Sequence, residues 1–77
     1  MFLYAIVDTK TSYVEAITRT EAQSFAWIAR FLEEYDYRLE SVTRLFGNGP
    51  ITVKAHVMED PKLTVEFRIS KTEEVTP

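Results

Sequence analysis

Seventy-seven residues, 45% of them hydrophobic and 27% charged, describe one small globular domain rather than a disordered segment. A chain this short hides only about 60% of the surface its unfolded form exposes. With no cysteine it has no disulfide and no cysteine-ligated zinc or iron, so packing or self-association must supply its stability. The formal charge of −3 argues against capture of nucleic acid by the molecule as a whole.

The opening Phe2–Val7 run reads as a buried strand, apolar on both faces. It is too short for a signal-peptide core and has no basic flank, and nothing in the chain approaches a membrane span. The expectation is a cytoplasmic protein with no membrane contact. Asp8-Thr9-Lys10-Thr11 turns the chain, and Ser12–Ile17 returns as the second strand of a hairpin. Thr18-Arg19-Thr20-Glu21 has the spacing of a capping box, with Thr18 and Glu21 exchanging side-chain and backbone bonds. A helix is predicted over Arg19–Glu34.

At about 100° per residue, Ala22, Phe25, Ala26, Ile28, Ala29 and Leu32 fall on one face of that helix. Trp27 and Phe31 fall on the other side, beside Gln23, Ser24 and Arg30, and Tyr35 is expected to close the core. A small domain buries one stripe of a surface helix, so the second aromatic pair is either covered by the hairpin or offered to a partner. Glu33, Glu34, Asp36 and Glu40 crowd the helix exit, where the negative dipole end prefers cations.

Tyr37–Phe46 reads as a third strand whose phase changes, because Tyr37, Leu39, Thr43 and Leu45 share one face while Val42 and Phe46 take the other. A bulge near Ser41 reconciles them. After the turn signal Gly47-Asn48-Gly49-Pro50, Ile51, Val53, Ala55 and Val57 alternate inward against Thr52, Lys54, His56 and Met58. Glu59-Asp60-Pro61-Lys62 turns again, and Leu63, Val65, Phe67 and Ile69 repeat the period of two. Residues 1–70 thus make a single α+β domain of order ββαβββ, an antiparallel sheet with one helix on one face. Residues 71–77 are expected to be a loose tail.

No constellation commits to a reaction. The single histidine, His56, has no cysteine or second histidine to complete a metal site, and no nucleophile, base and oxyanion donor can be named together. The expectation is therefore a non-enzyme without metal or cofactor. Two surfaces remain. Trp27 and Phe31, with Arg30, Glu34 and Asp36, suggest a partner-binding site on another protein, aromatic anchors being the residues that dominate interface energy. Arg38, Arg44, Lys54, Lys62 and Arg68 are expected on the outer sheet face. They could follow a phosphate backbone, but that face lacks the stacked aromatics of single-strand recognition, which makes nucleic acid the weaker alternative. A homodimer through an edge strand or the Trp27 surface is the third.

Strand, Thr18-Arg19-Thr20-Glu21-Ala22 cap, amphipathic helix and antiparallel strands, over residues 2–69, resemble the architecture of small phage-encoded accessory proteins. These include compact α+β anti-CRISPR and anti-restriction inhibitors. The strand–strand–helix opening is also similar to that of HicB-type antitoxins, although no DNA-binding tail follows. The resemblance implies an inhibitor or accessory factor docking on a larger protein machine. It carries over no functional residue, because its one motif is a general capping signal.

Overall fold

The computed structural model describes residues 2–44, 47 and 49–73. In chain order they form β1 (Phe2–Asp8), β2 (Val14–Thr18), α1 (Glu21–Glu34), β3 (Tyr37–Arg44), β4 (Ile51–Val57) and β5 (Asp60–Glu73). Every pairing is antiparallel, in one open sheet of order β2-β1-β5-β4-β3. The α+β, ββαβββ architecture is as the sequence predicts. The long β5 is the spine, since its C-terminal half pairs with β1 and most of its length pairs with β4.

Residues directly opposite in a ladder share a face, so the register gives the inner layer row by row. One row is Ala16–Ile6–Ile69–Ile51–Arg44; the next is Asp8–Phe67–Val53–Val42; a third is Val65–Ala55–Leu39. Ile6, Ile51, Val53, Ala55, Val65, Phe67 and Ile69 in these rows are buried. The phase change in β3 is resolved by a bulge, because Leu39 faces Ala55 while Ser41 faces Lys54, leaving Glu40 as the extra residue. The bulge returns Val42 to the inner face beside Tyr37 and Leu39. Leu45, Phe46 and Asn48 lie outside the described residues.

The helix differs from the sequence reading in roll. Its buried residues are Ser24 and Ile28, whereas Ala26 and Ala29, with Ala22 beside them, are exposed. Phe25 and Leu32 flank Ile28 on one side, Trp27 and Phe31 on the other, all packed against the core. The cause is size. Wetting an alanine methyl forgoes only about 0.8 kcal/mol, while an uncovered tryptophan or phenylalanine forfeits roughly 4–6 kcal/mol of burial. The helix therefore turns its large rings inward and its alanines out. Trp27 and Phe31 are not on the far side of the wheel.

Several boundaries also shift. β2 begins at Val14 rather than Ser12, because Ser12 sits in the left-handed region at φ 64° and donates its amide to Asp8 O at 2.8 Å. The helix cap is Thr20, whose hydroxyl accepts from Gln23 N at 3.1 Å. Gln23 Oε1 reaches back to Arg19 N at 3.0 Å, so the capping box lies two residues later than the Thr18–Glu21 spacing suggests. Thr18 Oγ1 instead donates to Thr20 O, which leaves Ser24 as donor in the 2.6 Å Thr18–Ser24 hydroxyl contact. That bond satisfies the fully buried Ser24 and ties the helix to β2.

At the other end, Asp60 pairs with Val57 and the register slips beyond His56, so Leu63 is 58% exposed rather than inward. β5 also runs on through Lys71, Thr72 and Glu73 opposite Tyr4, Leu3 and Phe2. The segment expected as a tail from residue 71 is strand as far as Glu73, because β1 offers it a pairing edge.

Phe31→Ala should lower stability by about 3 kcal/mol, in the range of buried aromatic truncations, and Trp27→Ala by a comparable amount. Ala29→Gln should change it by less than about 0.5 kcal/mol. Urea unfolding of the three variants checks the roll of the helix, and a reversed order would place the alanine face inward.

Candidate functional site: a groove between the helix and the edge strand

The two-residue link Arg19-Thr20 between β2 and α1 leaves the helix no choice but to run back along the strand it has just left. β2 is an edge of the sheet, so the pair encloses an open groove. Two hollows lie along it. One, of about 240 Å³, is lined by Glu15, Trp27, Arg30, Phe31, Glu34 and Tyr35. The second, of about 210 Å³, is lined by Thr18, Gln23, Ala26, Trp27 and Arg30. Trp27 and Arg30 belong to both, so the indole is a ridge between them.

An aromatic ladder makes the wall. Trp27 and Phe31 stack with centroids 5.7 Å apart and planes 15° from parallel, and Tyr35 continues the series 4.8 Å from Phe31. Both Trp27 and Phe31 meet Phe67 edge-on, at 5.7 and 5.0 Å, and Tyr37 stacks on Phe31 at 5.6 Å. These T-shaped contacts suit the ring quadrupoles and add to simple burial. Tyr35 is 57% exposed, so it extends the ladder into solvent and does not close the core.

Four of the five residues proposed from sequence as partner-binding, Trp27, Arg30, Phe31 and Glu34, line one hollow. Asp36 is just beyond the helix end and outside the lining. Glu15 and Tyr35 join the site unforeseen. Glu15 does so because the β1–β2 register passes from Ile6–Ala16 to Val7–Val14 and leaves it as a bulge. A one-residue strand insertion has no signature in a five-residue segment, so the sequence carries no sign of it.

Charge at the helix exit is left unbalanced. The last turn contains no base, while Glu33, Glu34 and Asp36 are exposed. Asp36 is also strained, at φ 56° in the left-handed region that glycine or asparagine usually fills after a helix. Arg44 pairs with Glu21 and His56 approaches Glu40, and neither contact draws on the groove.

The basic face expected from sequence does not assemble as a set. Arg44 lies in the Ile51 row on the helix side, where it pairs with Glu21 and donates to Gly47 O. Lys62 falls in the irregular start of β5, its amide held by Asp60 Oδ1 at 3.1 Å. Arg38, Lys54 and Arg68 do share the outer face, but Lys54 faces Glu66 and Arg38 faces His56. His56 is half-buried, with Nδ1 3.5 Å from Glu40 Oε1. Toward the β2 edge the outer face becomes apolar, with Ala5 and Val7 of β1 opposite Ile17 and Val14 of β2. It is not one wet, charged surface.

A third hollow, of about 90 Å³, lies among Tyr4, Glu21, Arg44, Gly49, Ile51, Ile69 and Lys71. Glu21 and Arg44 pair with each other there, and the Lys71 ammonium lies over the Phe2 ring. Among the described residues no group of three or more His, Asp or Glu side chains is placed to hold a metal ion. No helix among them is long and apolar enough to cross a membrane. Compared with protein-family models, curated proteins and solved structures, the chain has no significant match.

Asp36→Gly should raise stability by about 1 kcal/mol, since it relieves the left-handed backbone and removes an acid from the negative helix pole. Thermal unfolding checks this, and an unchanged or lower midpoint would mean that the carboxylate stabilises the turn.

Proposed function

We propose that this protein is a non-enzymatic binding domain that docks on another protein through the groove between α1 and β2. The observation that carries the reading is the convergence of Trp27, Arg30, Phe31 and Glu34 with Glu15 and Tyr35 around a single open hollow. An aromatic wall bordered by charges of both signs has the composition of an interface centre and rim. The acids at the helix exit support it. Glu33, Glu34 and Asp36 all sit at the end of the dipole that repels them, and Asp36 adds backbone strain. Local arrangements that oppose stability concentrate at functional sites.

The role of the aromatics is narrower than the sequence suggests. Trp27 and Phe31 present one side to the groove and rest the other on Phe67, so they shape the wall while holding the core. Contacts that a partner gains freely come from the exposed neighbours Ala26, Arg30, Glu34 and Tyr35. In this reading the protein is a small cytoplasmic inhibitor or accessory factor of a larger protein machine, of the anti-defence kind its architecture resembles. Nucleic-acid binding is less favoured, because the three bases left on the outer face alternate with Glu66 and Glu40 and have no aromatic platform among them.

The test is site-specific photo-crosslinking in cells of the source organism. A photoreactive residue at Ala26, on the groove, should trap one discrete protein. The same residue at Ala29, exposed but lining neither hollow, should trap it at least tenfold less. Arg30→Glu combined with Glu34→Lys should abolish the Ala26 product without lowering the unfolding midpoint. Equal trapping from both positions, or a product indifferent to the charge swap, overturns the reading.

A further inference from the structure

We infer that the occupant of the groove is a short extended segment of the partner, added to β2 as a sixth strand; this rests on the docking function proposed above. Three features of the groove define such a guest. Its floor is bounded by a sheet edge. Among the described residues β2 pairs with β1 on one side only, so alternate backbone amides and carbonyls of Val14–Thr18 point along the open edge, where an added strand satisfies them.

The other edge is guarded and this one is weakly so. β3 carries Arg38, Glu40 and Arg44, together with the Glu40 bulge, the usual devices against unwanted strand pairing. β2 carries a single charge, Glu15, and its bulge turns that charge into the groove. Regular ladder from Ala16 to Thr18 is left open to a guest.

The spacing also matches. Along the helix one hollow is lined from Gln23 to Arg30 and the other from Trp27 to Tyr35, an offset of four to five residues or about 6–7.5 Å. Side chains on one face of an extended strand repeat every about 6.8 Å. A guest pairing with β2 therefore sends two side chains, at positions i and i+2, into the hollows on either side of Trp27. A helical guest would place anchors at i and i+4 and leave the edge of β2 unpaired. Glu15 and Glu34 outnumber Arg30 around the hollow at the start of β2 and select a basic side chain there. In the other, Arg30 is the one charge beside Ala26, Gln23 and Thr18, so that hollow takes a neutral or acidic side chain.

The test uses acetylated, tryptophan-free hexapeptides in positional-scanning mixtures, read by Trp27 fluorescence and by amide shifts of β2. The best binder is then N-methylated one amide at a time. Methylation should cost about tenfold or more in affinity at every second position, and under about threefold between them. Alanine replacement should show two sensitive side chains, two residues apart. A binder insensitive to N-methylation, or anchored at i and i+4, overturns strand addition while leaving groove docking intact. Failure of every mixture at millimolar concentration overturns strand addition too, and docking is then decided by the Ala26 crosslink alone.

Discussion

The ring of Phe67 holds this molecule together. It lies on the central strand, 1% exposed, in the row between Asp8 and Val53, and the edges and faces of Trp27 and Phe31 close over it from the helix. A single helix over five strands has little area with which to cover a sheet, and small residues would leave voids. Large rings solve the problem because each reaches several neighbours. Phe31 touches Trp27, Tyr35, Tyr37 and Phe67 at once. The roll of the helix, the position of its alanines and the existence of the groove all follow from seating those rings on Phe67.

That constraint separates the legible parts of the fold from the rest. Strand alternation in Ile51–Val57 and Val65–Ile69 is a period-two signal, and the inner rows follow it residue by residue. The phase break in Tyr37–Phe46 reads as a bulge because only an extra residue lets one strand change its apolar side midway and still keep a single buried face. Apolar periodicity alone misjudges the helix face, since six apolar letters outvote two although three of the six are alanines. Weighting side chains by area instead of by class points to Ile28, with Phe31 and Leu32 on its flanks. Ser24 is the one helical position that neither weighting places inside. It is buried because Thr18 lies across from it to accept its proton, a contact created by the tight β2–α1 link.

The candidate site is legible in its members but not in its geometry. Trp27, Arg30, Phe31 and Glu34 are spaced at three and four residues, so a helix puts them on one flank whatever the fold. The sequence does not say that this flank borders a sheet edge, since that depends on β2 lying outside β1. Nor does it expose the division of the outer sheet face. Leu3, Ala5 and Val7 belong to a run that reads as buried on both sides, yet among the described residues no second layer covers them. Their neighbours Val14 and Ile17 are 55% and 63% exposed.

The two edges of the sheet show how one device can serve opposite ends. In β3 the bulge at Glu40 leaves an acid facing His56 and brings Leu39 and Val42 round to the inner face, which suits an edge meant to stay unpaired. In β2 the bulge at Glu15 interrupts the ladder near its start but leaves Ala16–Thr18 regular. It also places the displaced and still exposed Glu15 side chain beside the hollow that the aromatic ladder lines. Under the proposed strand addition, the bulge's position near one end leaves a short, polarised edge, with Glu15 and Glu34 at its start and Arg30 toward Thr18. A wall fixed by the core, Trp27 and Phe31 on Phe67, would need no rearrangement to receive the proposed guest. Preorganisation of that kind reduces the entropy cost of association, which matters for a domain whose groove is only two side chains long.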